Sequence, residues 1–194
     1  MHTHRLLPRL LSCLFAGGAL LSLPALASPN IVSNGSFETG DFSGWSGTAT
    51  TDPFNGVACP GSGAVAQGSC AAFFGALGGD DALQQVLTTT AGTQYFISFA
   101  VEGLGDVPSD LSLQWGGTTL YTVSNPDTGG AFGTQGFYAT ASGAATTLSF
   151  NVRDDIGFIY LDAVSVTAVP EPTTLALAAI GLAGLWAGRK RIRP

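Results

Sequence analysis

Between residues 28 and 168 this chain contains no histidine, no lysine and a single arginine, Arg153. Both histidines, His2 and His4, precede the first apolar run. The central region therefore cannot build a Ser-His-Asp triad, a Cys-His pair or a His-ligated zinc site. Lacking lysine, it has no Schiff-base chemistry either. Basic residues are otherwise confined to the ends, at Arg5 and Arg9 and at Arg189, Lys190, Arg191 and Arg193. Within 28–168 twelve carboxylates face the one arginine, a sharper imbalance than the net charge of −6 for the whole chain. Such a surface repels phosphate backbones, which excludes nucleic acid as the expected partner, and it offers oxygen ligands to hard cations such as calcium.

Cysteine is nearly as scarce, with three residues, and its compartment can be read from the N-terminus. Residues 1–27 have a basic start, an apolar centre over 10–23 and the small-x-small sequence Ala25-Leu26-Ala27. This is the pattern of a secretory signal cleaved after Ala27. Pro24 and the cleavage site follow the apolar run directly, which argues against a retained membrane helix. Cys13 leaves with the signal. Cys59 and Cys70 then bracket a short Gly/Ser-rich loop in an oxidising compartment, where they read as a disulfide worth roughly 2–3 kcal/mol by loop entropy. Two free thiols or half of a metal site are the alternatives, and the absence of a further Cys or His weakens the second.

The C-terminus ends on "VPEPTTLALAAIGLAGLWAGRKRIRP". Its apolar core, 175–187, would span about 20 Å as a helix, against about 30 Å for a bilayer core. Thr173, Thr174 and Gly188 extend it at low cost. The Arg189-Lys190-Arg191 cluster orients it with a cytoplasmic C-terminus. Paired prolines hold Pro170-Glu171-Pro172 extended. Val169-Pro170-Glu171-Pro172, a short apolar helix and the basic cluster, in that order, resemble the PEP-CTERM sorting signal of exported bacterial proteins, a tail also labelled an ice-binding-protein C-terminal domain. The resemblance covers about the last 25 residues. It implies recognition by a membrane-embedded exosortase, transient anchoring through the C-terminal helix, and delivery to the cell surface or extracellular polysaccharide matrix. The chain thus divides into a signal (1–27), a central domain (28–168) and a sorting tail (169–194).

Glycine is plentiful, with 27 residues, and in the central domain it separates short runs of two-residue alternation. "TQYFISFAV" aligns Tyr95, Ile97, Phe99 and Val101, and "DLSLQW" aligns Leu111, Leu113 and Trp115. Gly116-Gly117 turns the chain into "TTLYTV" as a hairpin. "TTLSFNV" aligns Leu148, Phe150 and Val152, while "FIYLDAVSV" aligns Tyr160, Asp162, Val164 and Val166. Further strands are expected near 31–37, 71–75, 83–88 and 137–141. About eight or nine short strands between Gly, Asn and Asp predict an all-β antiparallel sandwich of jelly-roll type.

The start of this domain, "NIVSNGSFETGDFSGW", and its end, "YLDAVSV", resemble carbohydrate-binding-module-like jelly rolls. That resemblance implies a structural calcium held by Glu38 and Asp162. The parity of Asp162 with Tyr160 and Val164 supports it independently, because a carboxylate facing the core needs compensation. The competing reading places Asp162 at a strand edge, solvated or bonded to backbone amides.

Sugar binding uses exposed aromatic platforms beside polar groups, for which Tyr121, Phe132 and Tyr138 are the candidates. Trp115 follows core parity and Trp45 reads as a structural plug. A glycosidase needs two carboxylates facing one another across a cleft. The adjacent pairs Asp80-Asp81 and Asp154-Asp155 cannot serve alone, since neighbours in a strand point to opposite faces, and both read as loop residues beside Gly79 and Gly157. The sequence thus predicts an exported, non-enzymatic surface or matrix protein that either associates with extracellular polysaccharide or simply contributes structure. The alternatives are a dedicated carbohydrate-binding module with a defined sugar ligand and, behind it, a carboxylate-based glycoside hydrolase.

Overall fold

The computed structural model describes residues 28–60 and 65–170, together with Gly181. The expected signal, the C-terminal helix and its basic cluster lie outside the described residues. Among the described residues no helix is long and apolar enough to cross a membrane.

Nine strands form two antiparallel sheets: β1 (Gly56–Ala58), β2 (Ala71–Phe74), β3 (Asp81–Thr88), β4 (Gln94–Glu102), β5 (Ser109–Trp115), β6 (Thr118–Ser124), β7 (Gly133–Thr140), β8 (Ala145–Asp154) and β9 (Ile159–Ala168). One sheet has the order β1-β2-β9-β4-β7 and the other β3-β8-β5-β6. The fold is an all-β sandwich of jelly-roll type, and its two inner faces are the alternating apolar sets that the sequence displays. Tyr95, Ile97, Phe99 and Val101 of β4 meet Leu111, Leu113 and Trp115 of β5 and Leu148, Phe150 and Val152 of β8, all buried. Phe150 lies at the centre, its ring 5.1 Å from Phe99 and 6.4 Å from Trp45. Gly116 and Gly117, at φ 57° and 82°, make the two-residue β5–β6 turn.

Three expectations need correction. Residues 31–37 form turns, not a strand, because Asn34 and Phe37 both take positive φ, 50° and 54°. That conformation is unusual for a phenylalanine. It is held by complete burial of the Phe37 ring, stacked 5.8 Å from Trp45. Asn30 ties this segment to β9, donating to the Val164 carbonyl and accepting from the Val166 amide. The second correction concerns the acid pairs, which are not wholly in loops: Asp81 opens β3 and Asp154 closes β8. Asp154 is buried and accepts the amides of Ile156 and Gly157.

The third lies in β9. Its buried positions run Ile159, Leu161, then Asp162, Val164 and Val166. The register against β4 shifts between Ser98 and Ala100, so Ala163 and Val164 together oppose Phe99, and Ala163 takes φ 52°. This β-bulge reverses the strand's parity. Tyr160 and Asp162 consequently lie on the outer face of the five-stranded sheet, and the core residues below the bulge are Ile159 and Leu161.

Candidate functional site

The outer face of the five-stranded sheet is where the residues with distinctive chemistry collect. One register row crosses it: Gly56 opposite Phe73, Phe73 opposite Tyr160, and Tyr160 opposite Glu102. Phe158, two residues before Tyr160, packs edge-on to Phe73 at 5.3 Å and lies 6.4 Å from Tyr160. With Val57, Ala58 and Cys59 these three rings line a cavity of about 420 Å³. Glycine shapes it: a Cβ at Gly56 would meet the Phe73 ring at 2.6 Å and one at Gly75 the Phe158 ring at 2.8 Å, so both rings lie close against the backbone. Phe96 lies over Gly136 in the same way, with Tyr138 at 4.9 Å.

Of the three predicted sugar platforms, only Tyr138 is well exposed, at 63%. It borders a second cavity of about 260 Å³ with Trp115 and Leu120. Tyr121 is half-buried between the sheets, 5.4 Å from Phe137 and 5.9 Å from Phe99, and burial pushes its hydroxyl above the usual tyrosine range. Phe132 is half-buried just before β7. Phe73, Phe158, Tyr160 and Glu102 were not singled out from sequence. The alternation of β4 carried a signal for Glu102, which shares parity with Phe96 and opposes the core set. The bulge hid the signal for Tyr160.

Glu38 and Asp162, the two expected calcium ligands, each bond to amides of one loop. Asp162 Oδ2 accepts the amides of Ala66 and Gln67 at 2.8 and 2.7 Å. Glu38 Oε1 accepts those of Ser69 and Cys70 at 2.8 and 3.0 Å. Gly68 between them, at φ 71°, approaches the Glu38 carboxylate too closely for any Cβ. The Cys59–Cys70 disulfide closes this loop. Asp162 is fully buried, so it lies under the loop and not in the core. Burial raises its pKa above the usual carboxylate range and Glu38 raises it further, while the loop amides oppose both.

The four loop amides fall on one oxygen of each carboxylate, and Asp162 Oδ1 accepts the amide of Ala163 as well, so both oxygens of Asp162 are engaged by the backbone. Among the described residues no third acid, cysteine or histidine joins them. Any further ligands would be backbone carbonyls and water.

The opposite outer face, on the four-stranded sheet, is built from Gln84, Ser112, Gln114, Thr122, Thr147, Ser149 and Asn151 by strand parity. Arg153 sits at its end and pairs with Asp155 through both guanidinium-to-carboxylate bonds, at 2.8 and 2.7 Å. That pairing and the Gly78 amide pull Asp155 down to about 2.

Comparison with known proteins agrees with this architecture. The PEP-CTERM protein-sorting motif matches residues 168–191, so the chain carries a signal for export and sorting. No curated protein matches the sequence. Among solved structures, TmCBM61 in complex with β-1,4-galactotriose is similar over 73% of this chain and 100% of its own, with a TM-score of 0.59 and 22% identity. The CBM22-1 xylan-binding domain from Paenibacillus barcinonensis covers 76% of this chain and 99% of its own, at TM-score 0.53 and 18% identity. A cyclase from Fischerella sp. TAU, solved with 4-(1H-indol-3-yl)butan-2-one, covers 77% and 100%, at TM-score 0.57 and 18% identity. The likeness is one of fold, and the same fold serves binding modules and an enzyme.

Proposed function

We propose that the chain is an exported, non-enzymatic cell-surface or matrix protein, processed by an exosortase-type enzyme and associated with extracellular polysaccharide through the aromatic end of its five-stranded sheet. The observation that carries this reading is the cavity of about 420 Å³ walled by Phe73, Phe158 and Tyr160. Rings laid against glycine backbone present faces on which the C–H side of a sugar stacks.

The strand order gives the site an orientation. β9 begins beside the cavity at Ile159 and ends at Ala168, where the sorting motif begins. Ten residues at about 3.3 Å each separate the two by roughly 30 Å. The aromatic cavity and the start of the sorting motif thus lie at opposite ends of β9. Calcium between Glu38 and Asp162 would tie the start of the domain, its last strand and the disulfide loop together, a structural role away from the sugar cavity.

A glycan array probed with the full chain tests the reading. Retention of at least one oligosaccharide class, lost at least tenfold in Phe158→Ala and Tyr160→Ala, is the expected result. Undiminished retention by both variants would move the site elsewhere. Sorting has its own test. Replacing Pro170-Glu171-Pro172 by alanines should leave full-length protein in the inner membrane, and normal release would remove the exosortase step.

A further inference from the structure

Three acids are buried in the domain: Glu102, Asp154 and Asp162. Two of them are satisfied by backbone amides. Glu102 is not. It is 7% exposed, and its Oε2 is buried without a hydrogen-bond partner among the described residues. A carboxylate taken out of water without a donor is destabilising, so natural proteins rarely leave one unless something else completes it.

Its position says what that could be. Glu102 has the outward parity of Phe96, Ser98 and Ala100 on β4 and stands directly opposite Tyr160, a wall of the aromatic cavity. Glu38 and Asp162 lie on the same face. The one arginine of the domain lies on the other sheet, committed to Asp155. The face therefore combines aromatic rings, an unpartnered acid and no basic residue.

We infer that this face takes a cationic sugar, with the ammonium group of a deacetylated amino-sugar unit seated between Tyr160 and Glu102. This rests on the polysaccharide reading above and names its ligand class. An ammonium supplies the donors that Glu102 Oε2 lacks and is attracted to an aromatic face. A uronate or sulfate group beside Tyr160 would meet the Glu102 carboxylate with no counter-charge on that face among the described residues. A neutral sugar's hydroxyls can donate to Glu102 but would not offset its charge. A sugar, more than a lysine side chain, uses both flat-lying rings and a cavity of this size.

The test is calorimetric titration of the full chain in detergent with three probes: a glucosamine hexamer, an N-acetylglucosamine hexamer and hexalysine. The expected outcome is that the glucosamine hexamer binds at least tenfold tighter than the other two. Glu102→Gln should lose at least tenfold of that affinity, while its thermal midpoint stays or rises, because the variant removes a buried unpaired acid. Ser98→Ala, on the same face, should change neither. Equal binding of the acetylated hexamer, equal binding of hexalysine, or an unchanged Glu102→Gln variant would each overturn the inference. Acetylated-hexamer binding that needs Phe158 and Tyr160 but ignores Glu102 would overturn it and leave the broader polysaccharide reading standing. Failure of both oligosaccharides would remove the two together.

Discussion

The two outer faces of this sandwich share one core and differ in what they do with the residues between core positions. On the four-stranded sheet those residues are mostly Ser, Thr, Asn and Gln, with exposed Val86, one internal bond from Asn151 to Ser112 and, at the end, an Arg153–Asp155 pair beside Asp110 and Asp80. Partial burial raises the Asp110 pKa above its ordinary value, and no aromatic ring lies on that surface. The five-stranded sheet carries aromatic rings against glycine, a disulfide-closed loop over two acids, and a third acid with an unsatisfied oxygen. Polar side chains alone keep one face soluble. The other holds arrangements that lower stability unless a ligand or cation completes them, and it is there that function is to be sought.

The loop gives the largest expected difference between the faces. Cys59→Ser with Cys70→Ser, or reduction of the pair, should cost about 2–3 kcal/mol in denaturant unfolding, since an eleven-residue separation is released in the unfolded chain. It should also weaken binding at the cavity that Cys59 lines. A loss below about 0.5 kcal/mol would mean that the amide bonds to Glu38 and Asp162 hold the loop unaided. Next in size is the contrast in binding. Tyr160→Ala should reduce glycan retention at least tenfold, or ~1.4 kcal/mol. Gln114→Ala and Thr122→Ala on the other face should change it less than twofold. Equal losses on both faces would erase the distinction.

Asp162 sharpens the same comparison. Its folded pKa is raised, so its contribution to stability is greatest below the unfolded value of about 3.9 and is lost as pH rises through the folded pKa. Asp162→Asn removes the charge and keeps one oxygen for the loop amides, but sets an NH2 against the Ala163 amide that Oδ1 accepts. Without a cation, chelator should change the thermal midpoint of neither protein at pH 7. With calcium bound between Glu38 and Asp162, chelator should lower the parent's midpoint and leave that of Asp162→Asn unchanged. The parent's response to chelator separates the two outcomes.

Much of the fold was legible because the core-facing apolar residues of β4, β5 and β8 obey the period of two. Tyr95 to Val101, Leu111 to Trp115 and Leu148 to Val152 each place apolar residues on alternate positions, and all of those are buried. The disulfide was legible from compartment and count. The departures have a common cause in backbone conformation. Phe37 and Ala163 take positive φ although neither is glycine, asparagine or aspartate, so nothing in the letters marks the bulge that reverses β9, whereas Asn34-Gly35 did carry a turn signal that the apolar alternation of 31–37 masked. Asp162 meets the same loop as Glu38 on the outer face of the sheet and not on the core side, because one bulged residue exchanges inside for outside. The cavity could not be read at all. It depends on Gly56 and Gly75 letting the Phe73 and Phe158 rings lie close against the backbone, a relation between segments that are distant in sequence.

The smallest expected effect belongs to the four-stranded face and tests whether it is as inert as its composition suggests. Asp155 is held down to about 2 by the Arg153 side chain and the Gly78 amide. A carboxylate with a depressed folded pKa contributes stability that is fully present above its unfolded value, about 3.9, and lost as pH falls from there toward 2. Arg153→Gln removes the larger of the two influences. The variant should match the parent in midpoint at pH 1.5, where the carboxylate is largely protonated in both, and fall slightly below it at pH 7. The pair is solvent-facing and screened, so the gap should shrink further in 1 M salt. A gap comparable to the disulfide's, or one that persists in salt, would show that Arg153 organises this end of the sandwich through Asp155, Asp110 and Asp80, and the polar face would then have a built feature of its own. A gap that vanishes in salt leaves the five-stranded sheet as the face on which this protein concentrates its unsatisfied chemistry.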